Sequence, residues 1–374
     1  MITIKEVTNK RDLKKFIKFP RELYKGNKNF VPFLDGDEMN MLTPKGNAAF
    51  EFCEAKYWLA YEDNKIVGRL GAIWHKRSNE IRNAKQIRFT RFDVVDNFEV
   101  TKLLFDKAIA WAKEIGMNEI IGPLGFSDLD KEGMLVEGFE HPSLVLTLYN
   151  HPYYVEHLTK LGFVKDIDWV EYRIEIPSEP NERLDQICKK TLDRRDYYIH
   201  YFKTKKEMIS AIYDGLAIMN EVYSHLYGYV ALTQKQIDEF IRNFSIVLNK
   251  KFVFAVKHKK TNELLGYGFL APSLTKAMQK ANGKLLPTGM FHILHDLKHF
   301  DTVDLYSIGV KKQYQNTGIN AIIMNEAIKS CQRYNVKYAE TGPELETNVQ
   351  IQSQWKNFNH IQHKRRRSFK YEIK

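Results

Sequence analysis

Runs of apolar residues along the chain predict the same β-hairpin in two places. Near residue 57 the sequence reads YWLAYEDNKIVGRLGAI, and near residue 252 it reads FVFAVKHKKTNELLGYGFL. Each segment is an apolar strand, a polar turn and a second strand that contains a glycine, Gly68 in the first and Gly266 in the second. Apolar runs bounded by polar turns of this kind are typical of antiparallel hairpins.

The elements that follow each hairpin repeat as well. In the first copy, a strand-like run, an amphipathic helix and a further strand are predicted at Arg91–Val95, Glu99–Ile115 and Glu119–Ile121. In the second copy, the same three elements are predicted at Val303–Val310, Gly318–Tyr334 and Val336–Ala339. The apolar positions of both helices recur at helical spacing on one face. The simplest account of this order is two copies of one α/β unit.

The fold class that follows is α/β (α+β), with two domains that each have a mixed, mostly antiparallel sheet flanked by helices. Pro177 and Pro180 lie within four residues of each other in a polar stretch, and such a stretch interrupts both strands and helices. We therefore predict domains at 1–176 and 177–374. The second copy is predicted to carry helices between 206 and 250, with Gln234–Val247 as one of them, and an insertion of two short helices at 275–300.

Composition narrows the class of protein. The chain has 374 residues, 44% of them hydrophobic, and no apolar run long enough for a membrane helix. The N-terminus is charged and lacks a signal-peptide core, and the three cysteines are far apart. These features predict a reduced, cytoplasmic protein without a membrane partner. The net charge of +11 suits an anionic partner, which could be nucleic acid, an acidic surface or a phosphate-bearing cofactor. Of these, nucleic acid is possible but is not the expected partner.

The most specific chemical signal is the junction between strand and helix from Val310 to Asn320. A polar turn follows the strand, and Gly318 stands where the amphipathic helix begins. Free backbone N–H groups at a helix N-terminus, together with the helix dipole, form a phosphate site. The alternative is an ordinary polar loop.

At this junction the sequence resembles the GNAT (GCN5-related) acyl-CoA N-acyltransferases. Their pyrophosphate loop reads Gln/Arg-x-x-Gly-x-Gly/Ala, and here Gln315-Asn-Thr-Gly318-Ile-Asn320 matches it except at the last position. The first copy has the acidic run Asp93–Val100 in place of the loop. It keeps a segment, Asn150 to Phe163, that resembles the GNAT Asn…Tyr-x-x-x-Gly-Phe helix end.

The resemblance implies that the second domain binds acetyl-CoA and that the first does not. The cofactor-binding residues that it implies are Ile308, Gly309, Val310, Gln315, Asn316, Thr317, Gly318, Ile319 and Asn320. It further implies a base on the fourth or fifth strand, for which we select Glu340, with Tyr306 as a weaker proton relay. The Tyr that protonates the leaving thiolate in the family is replaced by Trp355 in the second copy and by Leu158 in the first.

The implied function is transfer of an acyl group from acetyl-CoA to an amine, a small molecule or a peptide, held between the two domains. Turn-rich acidic loops on either side supply candidate substrate residues, namely Glu137, Glu346 and Asn348. In the first loop Asp128, Glu132 and Glu140 could also hold a cationic amine, and the alternative is a solvated acidic loop. One alternative is a non-catalytic acyl-CoA sensor, and another is a module like the aminoacyl-tRNA-dependent transferases. The sequence does not identify the amine or the oligomeric state.

Two further motifs have simpler interpretations. His292, His295 and His299 fall at helical spacing, and an exposed helix face explains them better than a metal site, so no metal is expected. The basic run His363–Arg367 could hold phosphate, or it could be the solvated edge of a terminal strand.

Overall fold

The computed structural model describes residues 1–244 and 247–374, and its strands form one extensive sheet. The strands are β1 (Ile2–Glu6), β2 (Cys53–Glu62), β3 (Lys65–His75), β4 (Gln86–Val94), β5 (Glu119–Gly122), β6 (Met134–Glu137), β7 (Val164–Glu175), β8 (Tyr197–His200), β9 (Val253–His258), β10 (Leu264–Pro272), β11 (Thr302–Val310), β12 (Tyr338–Thr341), β13 (Glu344–Leu345) and β14 (His360–Glu372).

Helices cover both faces of this sheet. They are α1 (Lys10–Leu23), α2 (Asp35–Met41), α3 (Lys76–Arg82), α4 (Phe98–Glu114), α5 (Tyr153–Leu161), α6 (Glu182–Arg194), α7 (Lys205–Val222), α8 (Gln234–Phe244), α9 (Thr275–Ala281), α10 (Gly289–Asp296), α11 (Ile319–Arg333) and α12 (Val349–Gln352). Short 3-10 helices lie at Ala48–Glu51, Lys312–Tyr314 and Ser353–Asn357. Residues 245 and 246, in the last turn of the predicted helix Gln234–Val247, lie outside the described residues.

The repeated order of elements predicted from the sequence is confirmed. Each copy has its hairpin (β2–β3 and β9–β10), the next strand (β4 and β11), the amphipathic helix (α4 and α11) and a parallel strand (β5 and β12). The hairpin glycines allow the helix to pack closely on the sheet. A Cβ at Gly68 would lie 2.9 Å from Val100 and Leu104, and a Cβ at Gly266 would lie 2.7 Å from Ile319.

The two copies exchange their last strands. The sheet runs β1-β2-β3-β4-β5-β14-β7-β12-β11-β10-β9-β8, so β14 pairs with β5 of the first copy and β7 pairs with β12 of the second. The short strands also pair with the exchanged strands, since β6 of the first copy pairs with β14 and β13 of the second copy pairs with β7. The sequence predicts a separate sheet for each copy, whereas the structure joins them through the β7–β14 pair. The division of the chain at residue 177 stays a prediction.

The exchange places the basic run His363–Arg367 in the middle of the sheet. Lys364 and Arg366 are fully buried, and both contact the carboxylate of Glu171. Arg367 binds Asp168 through two hydrogen bonds. The interpretation of this run as a solvated edge is therefore wrong. Lys364 and Arg366 are also inaccessible to nucleic acid, because both are buried and pair with Glu171 inside the sheet.

None of the described helices is both long enough and apolar enough to span a membrane. Cys53, Cys188 and Cys331 are buried and free.

Candidate functional site

The loop before α11 has the backbone geometry that a phosphate site requires. Gly318 has φ +92° and Asn316 has φ +61°, so both residues are left-handed, and no side chain within the described ranges caps the helix at Gly318. Thr317 holds the turn by donating its hydroxyl to the carbonyl of Tyr314 at 2.6 Å. The N–H groups of the first turn of an α-helix have no intrahelical partner. This loop can therefore accept an anion.

The strand that leads to this loop separates from its neighbour. β11 pairs with β12 from Thr302↔Tyr338 to Leu305↔Thr341, and after a two-residue break the chain continues as β13, which pairs with β7 instead. The backbone from Ser307 to Val310 therefore pairs with β10 on one side and faces a gap on the other. Ile308, Gly309 and Val310, predicted as cofactor-binding residues, are part of this free edge.

A β-bulge marks the start of the gap. Phe269 pairs with Ser307 and Leu270 pairs with Leu305, so Tyr306 has no partner on β10. Two tyrosines converge beside the bulge: the hydroxyl of Tyr223 donates to the carbonyl of Ile308 at 3.0 Å, and the hydroxyl of Tyr267 lies 2.8 Å from that of Ser307. The bulge re-aims the backbone, and bulges of this kind are common next to active sites.

A cavity of about 350 Å³ opens into this gap. On one face of the sheet α7 and α8 line it, with residues such as Leu216, Met219 and Phe240, and on the other face α11 lines it, with Ile323 and Ala327. The N-terminal half contributes further walls through the loop that contains Asp128 and through Trp169 on β7. Most of these side chains are apolar, so the cavity suits a hydrocarbon chain better than a small polar group.

Glu344 is a carboxyl group in the wall of this cavity, and the sequence reasoning did not select it. Trp355 donates its indole N–H to both carboxyl oxygens of Glu344, at 3.0 and 3.1 Å. Burial raises the pKa of Glu344 from its usual 4.5 to about 7, although the indole opposes the shift. A carboxyl group with this pKa exchanges a proton near neutral pH, which is the property that a general base or acid needs.

Two further carboxyl groups enter the cavity from the N-terminal half. Asp128 and Glu132 lie on the loop after β5, and the charge of Arg88 favours the ionised form of both. Burial raises the pKa of Asp128 to about 7, and burial together with the charge of Asp128 raises the pKa of Glu132. The cavity therefore has an apolar body and a protonatable polar wall.

The two residues predicted to be catalytic lie in different places. Tyr306 lines the cavity at the bulge, and its ring packs 4.9 Å from that of Phe269. Glu340 does not line the cavity, because its side chain is on the face of β12 opposite to Ala339 and Thr341. Its carboxylate lies 2.9 Å from Nε2 of the buried His363 and 3.7 Å from Nε of Arg173. The catalytic role of Glu340 stays a prediction.

The other predicted loop residues are spread around the site. Gln315 donates its amide to the carbonyl of Val310, and Asn320 donates to Gln354 at 3.0 Å. The side chain of Ile319 is buried in the core beneath the loop. These three contacts stabilise the loop in its left-handed conformation.

Of the predicted substrate residues Glu137, Glu346 and Asn348, the last lines the cavity, as do Asp128 and Glu132 of the first acidic loop. Asn348 lines it at the start of α12. Glu346 accepts from Lys165 at 2.9 Å and from Arg365 at 3.4 Å, and the exposed Glu137 pairs with Arg365 at 3.3 Å. Across the described residues, no group of His, Cys, Asp and Glu has an arrangement that could hold a metal ion.

The equivalent gap in the first copy is filled by its own side chains. The hydroxyl of Tyr154 accepts from the N–H of Val94 at 2.8 Å, and the hydroxyl of Tyr153 donates to the carbonyl of Val94 at 2.7 Å. Tyr24 donates to Asp93 at 2.8 Å, and Asp93 pairs with Arg69. Side chains of the first copy thus bind both the N–H and the carbonyl of Val94 in β4, whereas in β11 the carbonyls of Ile308 and Val310 accept from Tyr223 and Gln315.

The sequence analysis included the segments that contain Tyr223 and Glu344 but did not select these two residues. Tyr223 and Glu344 occur in segments identified as helical and acidic, but neither has a spacing that relates it to the loop at Gly318. They meet because α7 and β13 converge on the gap, which sequence periodicity does not report.

Two proteins of known sequence are similar to this chain over most of its length. No family model matches the chain. It is 26% identical to Protein YghO of Escherichia coli K12 over 384 aligned residues, covering 99% of this chain and 95% of that protein. It is 23% identical to the bacterial ceramide synthase of Caulobacter vibrioides, covering 84% of this chain and 82% of that protein.

Solved structures identify the fold. A tandem GNAT protein from the clavulanic acid biosynthesis pathway superposes with a TM-score of 0.56 at 10% identity, covering 100% of this chain and 99% of that one. The GCN5-related glucosamine N-acetyltransferase region of a fungal β-N-acetylglucosaminidase superposes with a TM-score of 0.57 at 11% identity, covering 99% of this chain and 38% of that one. The chain has the tandem GNAT fold.

Proposed function

We propose that this protein is an N-acyltransferase that moves an acyl group from a CoA thioester to an amine. The observation that carries the proposal is the apolar cavity that opens into the gap between β11 and β12, beside the uncapped N-terminus of α11. The gap offers free strand backbone, the helix offers amides for phosphate, and the cavity offers room for an acyl chain.

We assign the donor site to the C-terminal half. The amides from Asn316 to Asn320 would hold the pyrophosphate, and the free edge from Ser307 to Val310 would pair with the pantetheine arm. The residues fit this role, because Gly318 is left-handed and the edge is unpaired on the β12 side. The sequence predicts acetyl-CoA as donor. We propose a longer fatty acyl chain, because the cavity is lined mostly by apolar side chains and one relative is named a ceramide synthase.

Acyl transfer to an amine needs a general base that accepts a proton from the amine nitrogen. The amine nitrogen forms a bond to the thioester carbon, the carbon–sulfur bond breaks, the nitrogen loses a proton and the thiolate gains one. Glu344 is the carboxyl group best suited to accept the proton, since it lines the cavity and its pKa is about 7. Backbone N–H groups beside the bulge at Tyr306 would stabilise the oxyanion. Asp128 and Glu132 would bind the cationic form of the amine.

A sensor that binds the donor without turnover is the second candidate. It is favoured by Trp355, which occupies the position of the family's acidic Tyr and already donates its N–H to Glu344. The two candidates differ in whether thiol is released.

Thiol release is therefore the decisive measurement. The full chain is mixed with acetyl-CoA or hexadecanoyl-CoA and with a short amine or a long-chain amino alcohol, and free thiol is followed with time. We expect release with hexadecanoyl-CoA and the long-chain amino alcohol. Donor binding by calorimetry without release from any pair would support the sensor, and no binding of either donor would contradict both candidates.

Two variants connect the activity to the loop. Asn320→Asp places a carboxylate in the first turn of α11, where repulsion of phosphate should weaken donor binding about tenfold, or about 1.4 kcal/mol. Gly318→Asp should abolish binding, but its Cβ would also lie 2.9 Å from Thr191, so its melting temperature must be compared with that of the parent. Gly36→Asp is the control, because a Cβ at Gly36 meets nothing within 4 Å.

A further inference from the structure

The insertion between β10 and β11 exposes a group of large apolar side chains. Leu286, Phe291 and Leu294 have 72%, 68% and 48% of their surface accessible to solvent. The other large exposed apolar residues of the described chain are scattered, at positions such as Tyr201 and Ile361. The first copy has no counterpart of this insertion, since β3 and β4 are connected by α3 alone. A grouped apolar patch of this kind marks an interaction surface.

The patch stands on a rigid base. Ile293, on the opposite face of α10, is buried in a small core with Leu274, Ala277 and Met278 of α9 and Val31 of the N-terminal half. Gln279 fixes the insertion further by donating its amide to the carbonyl of Lys28 at 2.7 Å. Phe291 and Leu294 therefore point away from a fixed helix, and their exposure is a property of the folded insertion.

The surroundings of the patch are basic. Lys276, Lys280, Lys284 and Lys298 of the insertion are all exposed. The insertion has two acidic residues, of which Asp296 is buried and lies 3.1 Å from Nδ1 of His295, and Asp301 is exposed next to β11. The segment under the insertion adds two more exposed lysines, Lys25 and Lys28. Apolar side chains surrounded by lysines match an anionic surface that has an apolar interior.

We propose that the insertion docks this protein on the surface of an anionic lipid bilayer. Leu286, Phe291 and Leu294 enter the boundary between headgroups and acyl chains, and the surrounding lysines contact lipid phosphates. A protein partner of ordinary interface size would need about 800 Å² of complementary surface, which two side chains on α10 and one on the loop before it do not supply. The proposal adds a peripheral contact to a chain whose sequence predicted no membrane partner.

The core of the insertion lies beside the apolar cavity. Val145 and Val247 pack against the core of the insertion, and the next residues along the chain, Leu146 and Leu248, line the cavity. The buried core of the insertion, on the face of α10 opposite to Phe291, thus adjoins one end of the apolar cavity.

Vesicle co-sedimentation tests the docking without any substrate, so its result is independent of the proposed acyl transfer. The full chain is mixed with vesicles of phosphatidylcholine and phosphatidylglycerol, and with vesicles of phosphatidylcholine alone. We expect binding to the anionic vesicles, with at least tenfold weaker binding to the neutral ones. The triple variant Leu286→Ser, Phe291→Ser, Leu294→Ser and the double variant Lys284→Glu, Lys298→Glu should each lower the affinity for anionic vesicles about tenfold or more.

The matched control is Tyr201→Ser with Ile361→Ser, which removes exposed apolar side chains elsewhere and should leave vesicle binding unchanged. Far-ultraviolet circular dichroism and melting temperature establish that each variant is folded. The proposal is overturned if the parent does not bind anionic vesicles, or if the control loses as much affinity as the triple variant. It is also overturned if the parent is a dimer that the triple variant converts to a monomer, because the patch would then bind a second copy of the chain.

Discussion

Glu340 and Glu344 are four residues apart and have opposite surroundings. Glu340 is buried next to two basic partners, His363 and Arg173, whereas Glu344 lines the apolar cavity with an indole as its hydrogen-bond partner. Glu340 lies outside the cavity, whereas Glu344 lines it and has an ionised form that burial destabilises, which suits it to accept a proton there. The surroundings therefore favour Glu344, although the residue type at both positions is the same.

Glu344→Gln should lower the rate of thiol release by about a hundredfold or more, because the proton acceptor is lost. In the parent, kcat/KM should rise with pH and level off above about 7, since only the ionised carboxylate accepts a proton. In the Glu344→Gln variant, kcat/KM should no longer rise with pH in this range. Glu340→Gln is the control, and a variant of Glu340 that loses this rise while Glu344→Gln keeps it would assign the base to Glu340.

The same pKa shift also affects stability. A carboxyl group whose pKa is raised in the folded state stabilises the fold below its unfolded pKa, and this contribution is lost as pH rises through the folded pKa. For Glu344 the window runs from 4.5 to about 7 and the loss is at most about 3 kcal/mol. In urea titrations, Glu344→Gln should gain stability relative to the parent between pH 5 and pH 8.

At the scale of elements, the exchanged strands connect the two copies. β14 lies between β5 and β7, and its buried Lys364 and Arg366 share the carboxylate of Glu171 on β7. The charges of Lys364 and Arg366 lower the pKa of Glu171 to about 2. This triad of Glu171, Lys364 and Arg366 lies where the two halves of the sheet meet, so it should stabilise both halves.

Glu171→Gln should lower the free energy of unfolding by about 3–5 kcal/mol, because two buried cations lose their counterion. Urea unfolding followed by fluorescence and by circular dichroism should still show one transition, since the exchanged strands join the two halves of the sheet. The control Glu137→Gln removes an exposed partner of Arg365 and should change stability by less than about 1 kcal/mol. Two separate transitions, with only one shifted by Glu171→Gln, would contradict the coupling.

At the scale of the whole molecule, the two copies have diverged into different roles. The first copy fills its own gap with Tyr153 and Tyr154 and supplies Asp128 and Glu132 to the cavity of the second. The second copy keeps the open gap and the loop at Gly318. The site is thus formed by one complete tandem chain, and neither copy contains all of its walls.

The volume of the cavity should set the preferred acyl chain. Ala327→Phe adds a ring from α11 into the cavity, and it should lower the ratio of kcat/KM for hexadecanoyl-CoA over acetyl-CoA at least tenfold. Ala327→Ser, which changes the volume little, should keep the ratio of the parent. An unchanged ratio in the folded Ala327→Phe variant would place the acyl chain outside this cavity.

Local patterns determined much of the fold. The period of apolar residues predicted both hairpins and both amphipathic helices, and α4 and α11 end within one or two residues of their predicted bounds. The position of Gly318 at the junction between β11 and α11 was also predictable, because a turn from strand to helix depends on neighbouring residues. These features arise from interactions between residues that are close in the chain.

The tertiary structure alone decided the strand exchange and the cavity. The basic run His363–Arg367 has the composition of a solvated strand, and only its pairing with β7 shows that Lys364 and Arg366 are buried against Glu171. Glu344 resembles any loop carboxyl group until Trp355 and the cavity surround it. Burial and pKa depend on groups that are distant in sequence, and periodicity along the chain contains no information about which distant groups will meet.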